Sequence, residues 1–171
     1  MIENLTETIH GTLLSVYGMG VLIRGESGTG KSECALEMVS RGHVLVADDA
    51  VELKRVGSTL YGSAPDALTG LLEIRGVGIC NVRELYGDDS VMDQCGIIVD
   101  IELKAEKKVT EGVFDREDGV VYLGIELPHR VISNSNTRRL PIIIEAAVKM
   151  MGTGRSAEIE LIENYNRSLA S

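Results

Sequence analysis

The chain has 171 residues, a formal net charge of −9, 44% apolar and 25% charged residues, and no Trp. That is one domain's worth of ordinary globular composition, and its acidic balance argues against nucleic-acid binding, which needs a cationic field. Cys34, Cys80 and Cys95 lack metal or disulfide spacing, as do His10, His43 and His129, and neither a signal peptide nor a membrane-length apolar run is present, so the expected compartment is the reducing cytoplasm.

Taken in chain order, Thr12–Tyr17 and Met19–Arg24 are β-rich runs around Gly18 and predict a hairpin. Gly25–Ser32 follows directly. Lys31–Arg41 places Cys34, Ala35, Met38 and Val39 on one helical face and stops at Gly42. Val44–Ala47 is a short apolar strand ending in Asp48-Asp49, and Val51–Val56 with Thr59–Tyr61 predicts a second hairpin around Gly57-Ser58. Asp66–Leu72 behind Pro65 predicts a short helix; Leu71–Cys80 predicts a strand or extended loop. Ile97–Leu103 and Val120–Leu127 read as strands, Pro141–Met151 as a helix, and Ala157–Leu169 as an amphipathic helix capped by Ser156. The expected fold is one mixed α/β domain, residues 1–171, with a largely antiparallel sheet and flanking helices.

Gly25, Glu26, Ser27, Gly28, Thr29, Gly30, Lys31 and Ser32 fit the phosphate-loop pattern G-x-x-x-x-G-K-S/T between a predicted strand and a predicted helix. Glycines let backbone N–H groups point inward and approach a phosphate closely. The helix that follows turns its positive end to the anion. Lys31 is then the cation for the β- and γ-phosphates of a nucleotide, and Ser32 the hydroxyl for Mg²⁺.

Asp93-Gln94-Cys95-Gly96 fits D-x-x-G, but N-K-x-D is missing, so a regulatory GTPase is not indicated. H-R-D and D-F-G are also missing, which excludes a eukaryotic-type protein kinase. Asp48-Asp49 ends a strand close to the loop, where one carboxylate can face a metal and the other accept a hydroxyl proton. A solvated turn explains the doublet equally well.

The segments HGTLLSVYGMGVLIRGESGTGKS, RGHVLVADDAVEL, GSAPDALTGLLEIRGVGICNV, VFDRE and LPIIIEAA, in this order, resemble the catalytic domain of bacterial HPr kinase/phosphorylase over roughly residues 8–150. LLEIRGVGI is the most family-specific of them. The resemblance implies a fold like the nucleotide-binding region of phosphoenolpyruvate carboxykinase. It also implies ATP-dependent phosphorylation of a serine on the phosphocarrier HPr, reversal by inorganic phosphate with release of pyrophosphate, and a hexamer. It makes Asp49 the proton acceptor assisted by Asp48, Glu73 a second magnesium ligand, and His10 and Arg116 catalytic-site positions.

On the residues alone, His10 reads as a capping or core histidine and Arg116 as a surface ion pair. Glu73 among Leu71, Leu72 and Ile74 calls for a cation. Two departures stand out. Family members usually carry an additional N-terminal domain, which is not in this sequence. Residues 133–139 read SNSNTRR where the family has a Pro-Val-Lys-Val-Gly-Arg-like segment tied to dephosphorylation, so kinase activity is expected to exceed phosphorylase activity. The rival readings are a kinase of a small metabolite on the same scaffold and a non-enzymatic nucleotide sensor.

Overall fold

The computed structural model describes residues 5–105, 119–134, 139–152, 164 and 166–170. The chain divides into two compact units, Met1–Arg138 and Arg139–Ser171. In the first, the elements in order are β1 (Thr6–His10), β2 (Thr12–Val16), β3 (Met19–Gly25), α1 (Lys31–Ser40), β4 (Val44–Ala47), β5 (Ala50–Val56), β6 (Thr59–Ser63), β7 (Leu71–Ile74), β8 (Gly78–Asn81), α2 (Val82–Tyr86), β9 (Gln94–Ala105), β10 (Val120–Tyr122), β11 (Ile125–Leu127) and β12 (His129–Asn134). The second contains α3 (Leu140–Gly152), whose buried residues Leu140, Pro141, Ile144 and Val148 follow helical spacing.

Eight strands form one mixed sheet in the order β1-β5-β6-β9-β3-β2-β4, with β12 also paired to β9. Among the strand pairs of this sheet in the described residues, β3–β9 and β9–β12 are parallel and the other five antiparallel, so the largely antiparallel character read from the sequence holds. The hub is β9. Its first residues, Gln94–Gly96, pair with β6, which explains the D-x-x-G match as a strand start, while Asp93 is exposed and meets Arg83 at 3.8 Å. The rest of β9 runs beside β3 and β12.

Burial follows position in the sheet. Every residue of β2 is buried, and so are Val21, Leu22 and Ile23 of β3, as a central strand covered on both faces requires. On β5, Val51 and Leu53 are buried while Glu52 and Lys54 are exposed, the period-2 pattern of a strand with one wet face. The helix α1 packs on β2, β3 and β4 through the predicted face, Cys34, Ala35, Met38 and Val39. A second apolar cluster joins Leu13, Leu22, Leu53, Leu60, Tyr122 and Leu127 among others. All three cysteines are free thiols, and burial pushes those of Cys34 and Cys95 up to about 12, leaving them protonated and inert.

The β2–β3 hairpin turns at Tyr17 and Gly18, both at positive φ (51° and 79°), which is the two-residue turn that matches strand twist. The same chemistry corrects the expected strand Val120–Leu127. Leu123 and Gly124 also take positive φ (50° and 78°) and split it into β10 and β11. The helix expected over Asp66–Leu72 is only a 3₁₀ turn at Asp66–Leu68. Gly70 (φ 74°) ends it, and Leu71 and Leu72 enter β7. Leu71–Cys80 is a hairpin, with Arg75, Gly76 and Val77 as its loop. The strands β1 and β12 and the helix α2, capped by the Asn81 side chain, were not expected from the sequence. Most of the expected helix Ala157–Leu169 lies outside the described residues.

Under the exit of β3 lies a buried charge network. Arg24 donates two hydrogen bonds to Asp100, at 2.6 and 2.7 Å, and Tyr122 Oη donates a third at 3.0 Å. His129 Nδ1 lies 2.6 Å from Asp100 Oδ2. Burial alone would raise the Asp100 carboxyl, but the bonds from Arg24, His129 and Tyr122 hold it below the usual carboxylate range. A depressed carboxyl contributes stability that is present above its unfolded value and is lost as pH falls through its folded value. Asp100→Asn is therefore expected to lower stability by roughly 2–3 kcal/mol at neutral pH. It should also flatten the acid limb of the unfolding curve below about pH 4. Thermal melts from pH 3 to pH 7 check both, and equal melting temperatures at pH 7 would show that the network contributes nothing.

Candidate active site

Gly25 closes β3 beside Leu103 of β9. A Cβ there would sit 2.7 Å from the Leu103 carbonyl oxygen and 2.9 Å from Thr29 Oγ1, so the loop can leave the sheet here only with glycine. At the other end Gly30 is the N-cap of α1, at φ 88° and ψ 22° and without a side-chain cap, so the loop runs straight into a helix start whose first N–H groups have no intrahelical partner. Between them the backbone folds on itself, with Thr29 N–H and Thr29 Oγ1 both donating to the Glu26 carbonyl, at 3.2 and 2.8 Å. From β12, Asn134 Nδ2 donates to the Thr29 carbonyl.

Lys31 is buried, with Nζ donating to the Gly25 carbonyl at 2.7 Å and the Glu26 carbonyl at 2.9 Å. Burial lowers its pKa, and the nearby carboxylates of Asp48, Asp49 and Glu33 offset this only in part. A buried ammonium short of compensating charge favours an incoming anion.

The two adjacent aspartates have different surroundings. Between Leu13 and Leu14 of β2 the pairing partner on β4 jumps from Ala47 to Leu45, so Val46 is the extra residue of a bulge. The bulge brings Asp48 opposite Thr12. Asp48 is buried and accepts from Thr12 Oγ1 at 2.7 Å and from Ser32 Oγ at 2.9 Å, one hydroxyl per carboxylate oxygen.

Asp49 turns outward, with its side chain 72% exposed and Oδ1 3.4 Å from His10 Nδ1. Its φ is 69°, Ala50 N–H donates to the Asp48 carbonyl across it at 2.9 Å, and Gly11 N–H donates to its own carbonyl at 3.1 Å. That is a γ-turn of the strained, positive-φ kind, worth roughly 1–3 kcal/mol of backbone strain.

A cavity of about 600 Å³ gathers these residues. It is lined by His10, Lys31, Ser32, Asp48, Asp49 and Glu73, by Ser27, Gly28 and Gly30 of the loop, and by Arg75–Gly78 of the β7–β8 hairpin. Every described residue expected in catalysis or metal binding is in that lining; Arg116 lies outside the described residues, as does most of SNSNTRR. The sequence pointed to no role for Thr12 or Asn134, and it marked Arg75 only within Leu72–Asn81, the stretch that the family resemblance ties to both reaction directions; the Arg75 guanidinium comes within 3.4 Å of where a Gly28 Cβ would stand. A polar residue heading the buried run TLLSV was the available signal for Thr12; Asn134 carried none.

Among the described residues no group of three or more His, Cys, Asp or Glu could hold a metal. The donors at hand are hard oxygens, Ser32 Oγ and the Glu73 carboxylate. That fits Mg²⁺, which takes one or two protein oxygens and completes its shell with water and substrate phosphates. It does not fit zinc, which needs three or four protein ligands.

Residues 3–166 match the HPr Serine kinase C-terminal domain family. The chain belongs to that family. It is 44% identical over 162 residues to an HPr kinase/phosphorylase of Caldanaerobacter subterraneus, covering 89% of this chain and 52% of that protein. It is 46% identical over 169 residues to an HPr kinase/phosphorylase of Caldicellulosiruptor bescii, covering 95% of this chain and 54% of that protein. The chain thus spans about half the length of these curated relatives. Among solved structures, the Hpr(Ser) kinase/phosphatase from Coxiella burnetii matches with a TM-score of 0.77 and 35% identity, over 84% of this chain and 94% of that one. The mixed α/β fold of the HPr serine kinase C-terminal domain is therefore the fold of this chain. No described helix is long and apolar enough to cross a membrane.

Proposed function

We propose that the chain transfers the γ-phosphoryl group of ATP to a serine hydroxyl of the phosphocarrier protein HPr. The observation that carries this reading is the convergence of Lys31, Ser32, Asp48, Asp49, Glu73 and His10 on one cavity, in a chain of a family whose members are named for this reaction. Gly25–Ser32 acts as a P-loop, on a scaffold akin to the nucleotide-binding region of phosphoenolpyruvate carboxykinase. Its N–H groups and Lys31 hold the β- and γ-phosphates. Ser32 and Glu73 would hold Mg²⁺, which when bound neutralises charge on the phosphates.

The acceptor hydroxyl enters from the open side of the cavity beside Asp49. Exposed and paired only loosely with His10, Asp49 has a lone pair for the hydroxyl proton, whereas both Asp48 oxygens already accept hydroxyls. This separation of the doublet favours Asp49 as the base and Asp48 as the residue that orients Ser32. Forward transfer exceeds the phosphate-driven reversal that releases pyrophosphate, and the protein works in the cytoplasm as a homo-oligomer, a hexamer by likeness to its family.

The test is incubation of the chain with HPr, ATP and Mg²⁺. Phosphoserine on HPr is the expected product, and its absence alongside phosphorylation of a small metabolite would transfer the reading to a metabolite kinase. Glu73→Gln removes a charged oxygen from the cavity and should raise the Mg²⁺ needed for half-maximal activity roughly tenfold. A magnesium titration checks this, and an unshifted midpoint would leave Glu73 as a structural partner of a neighbouring cation such as Arg75.

A further inference from the structure

Thr12 is fully buried at the head of β2, two residues after His10 ends β1 and beside the β4–β5 turn that carries Asp49. Its hydroxyl donates to Asp48 Oδ1 at 2.7 Å, and Ser32 Oγ donates to Asp48 Oδ2 at 2.9 Å. A serine hydroxyl has one proton and two lone pairs. With its proton on Asp48, Ser32 turns its lone pairs away from that carboxylate. A carboxylate held at only one oxygen can rotate about its terminal torsion, which has broad wells. Held at both oxygens, it cannot rotate without breaking a buried hydrogen bond.

We propose that Thr12 is a positioning residue for phosphoryl transfer. Through the chain Thr12–Asp48–Ser32 it fixes the direction in which the Ser32 hydroxyl offers its lone pairs to the magnesium ion of a bound nucleotide. The proposal rests on Ser32 being a magnesium ligand. It extends the site by a residue that touches neither nucleotide nor acceptor. Outer-shell partners of this kind commonly set metal affinity by 10–100-fold.

The experiment measures binding of a fluorescent ATP analogue with Mg²⁺ and with EDTA. The proteins compared are the parent chain, Thr12→Val, Thr12→Ser, Ser32→Ala and Thr12→Val/Ser32→Ala. Valine keeps the shape of threonine and removes the donor. Thr12→Val should lose roughly tenfold of the affinity gained from Mg²⁺ while binding in EDTA stays at the parent value. Thr12→Ser, which restores the hydroxyl, should recover most of the gain. The double variant should match Ser32→Ala alone, because Thr12 acts only through Ser32.

A parent-like magnesium gain in Thr12→Val, or additive losses in the double variant, would overturn the proposal. A parent-like gain in Ser32→Ala would instead bring down the magnesium reading beneath it. Should Thr12→Val fail to fold, Thr12→Cys keeps a similar volume with a weak S–H donor. It should show an intermediate loss, and a parent-like gain there would also overturn the proposal.

Discussion

The Asp49→Asn variant is expected to bind ATP near normally while forward and reverse transfer fall together by roughly 10²–10⁴-fold. The attacking serine must shed its proton as the new O–P bond forms. In reverse, inorganic phosphate attacks phosphoserine and the departing serine oxygen must regain a proton. One carboxylate beside that oxygen serves both steps, since the forward base is the reverse acid. Asp49 meets the requirement of access, with its side chain 72% exposed at the cavity wall. Asparagine suits this position for a second reason. Asn tolerates positive φ nearly as Asp does, so the γ-turn at φ 69° survives the substitution. Alanine would confound lost chemistry with added backbone strain. Single-turnover transfer and nucleotide titration separate the outcomes. Lost ATP binding would make Asp49 a metal ligand, and retained catalysis with the deficit found only in Asp48→Asn would move the base back by one residue.

Lys31→Ala should slow transfer by roughly 10²–10³-fold, equivalent to about 3–4 kcal/mol of transition-state stabilisation. The ammonium is held by the carbonyls of Gly25 and Glu26, so it is already in place at the mouth of α1. The fold should tolerate the loss. Burial disfavours the charged form of Lys31, so removing it relieves a cost that the folded state carries below the lysine's pKa. The melting temperature at neutral pH is therefore expected to hold or rise while activity falls. Phosphate transfer and a thermal melt on the same preparation check the pair of outcomes. A folded variant with near-parent transfer would remove the phosphate role from the loop.

How much of this was legible in the sequence depends on the distance over which each feature is determined. The hairpin at Tyr17-Gly18, the face of α1 and the strand Val44–Ala47 are set by neighbours a few residues away, and all three stand where the pattern put them. The run VVYLGIEL hid its turn because a leucine, not an asparagine, precedes Gly124 at positive φ. The helix read at Asp66–Leu72 failed because Leu72 is claimed by the β7–β8 ladder and buried there.

In the site, the loop motif and the segment around Glu73 announced themselves locally. The difference between Asp48 and Asp49 did not. It comes from a bulge opposite Leu13 and from Thr12, 36 residues away in the chain, and such register is invisible until strands are paired. Arg116 lies outside the described residues, so its placement rests on the resemblance alone.

The place of β9 in the sheet has a consequence for how the protein is made. Every residue lining the cavity falls between His10 and Gly78, so a ribosome has delivered all of them before β9 begins at Gln94. Yet β3, which carries the loop, has β2 on one side and β9 on the other, and Gly25 itself pairs with Leu103. A growing chain stopped just short of Gln94 holds the full set of pocket side chains and lacks the strand against which the loop is set. Parallel pairing across such a sequence gap is slow to form because the intervening loop must close first. A loop that binds nucleotide as proposed therefore gains its support from the sheet only after β9 has been made.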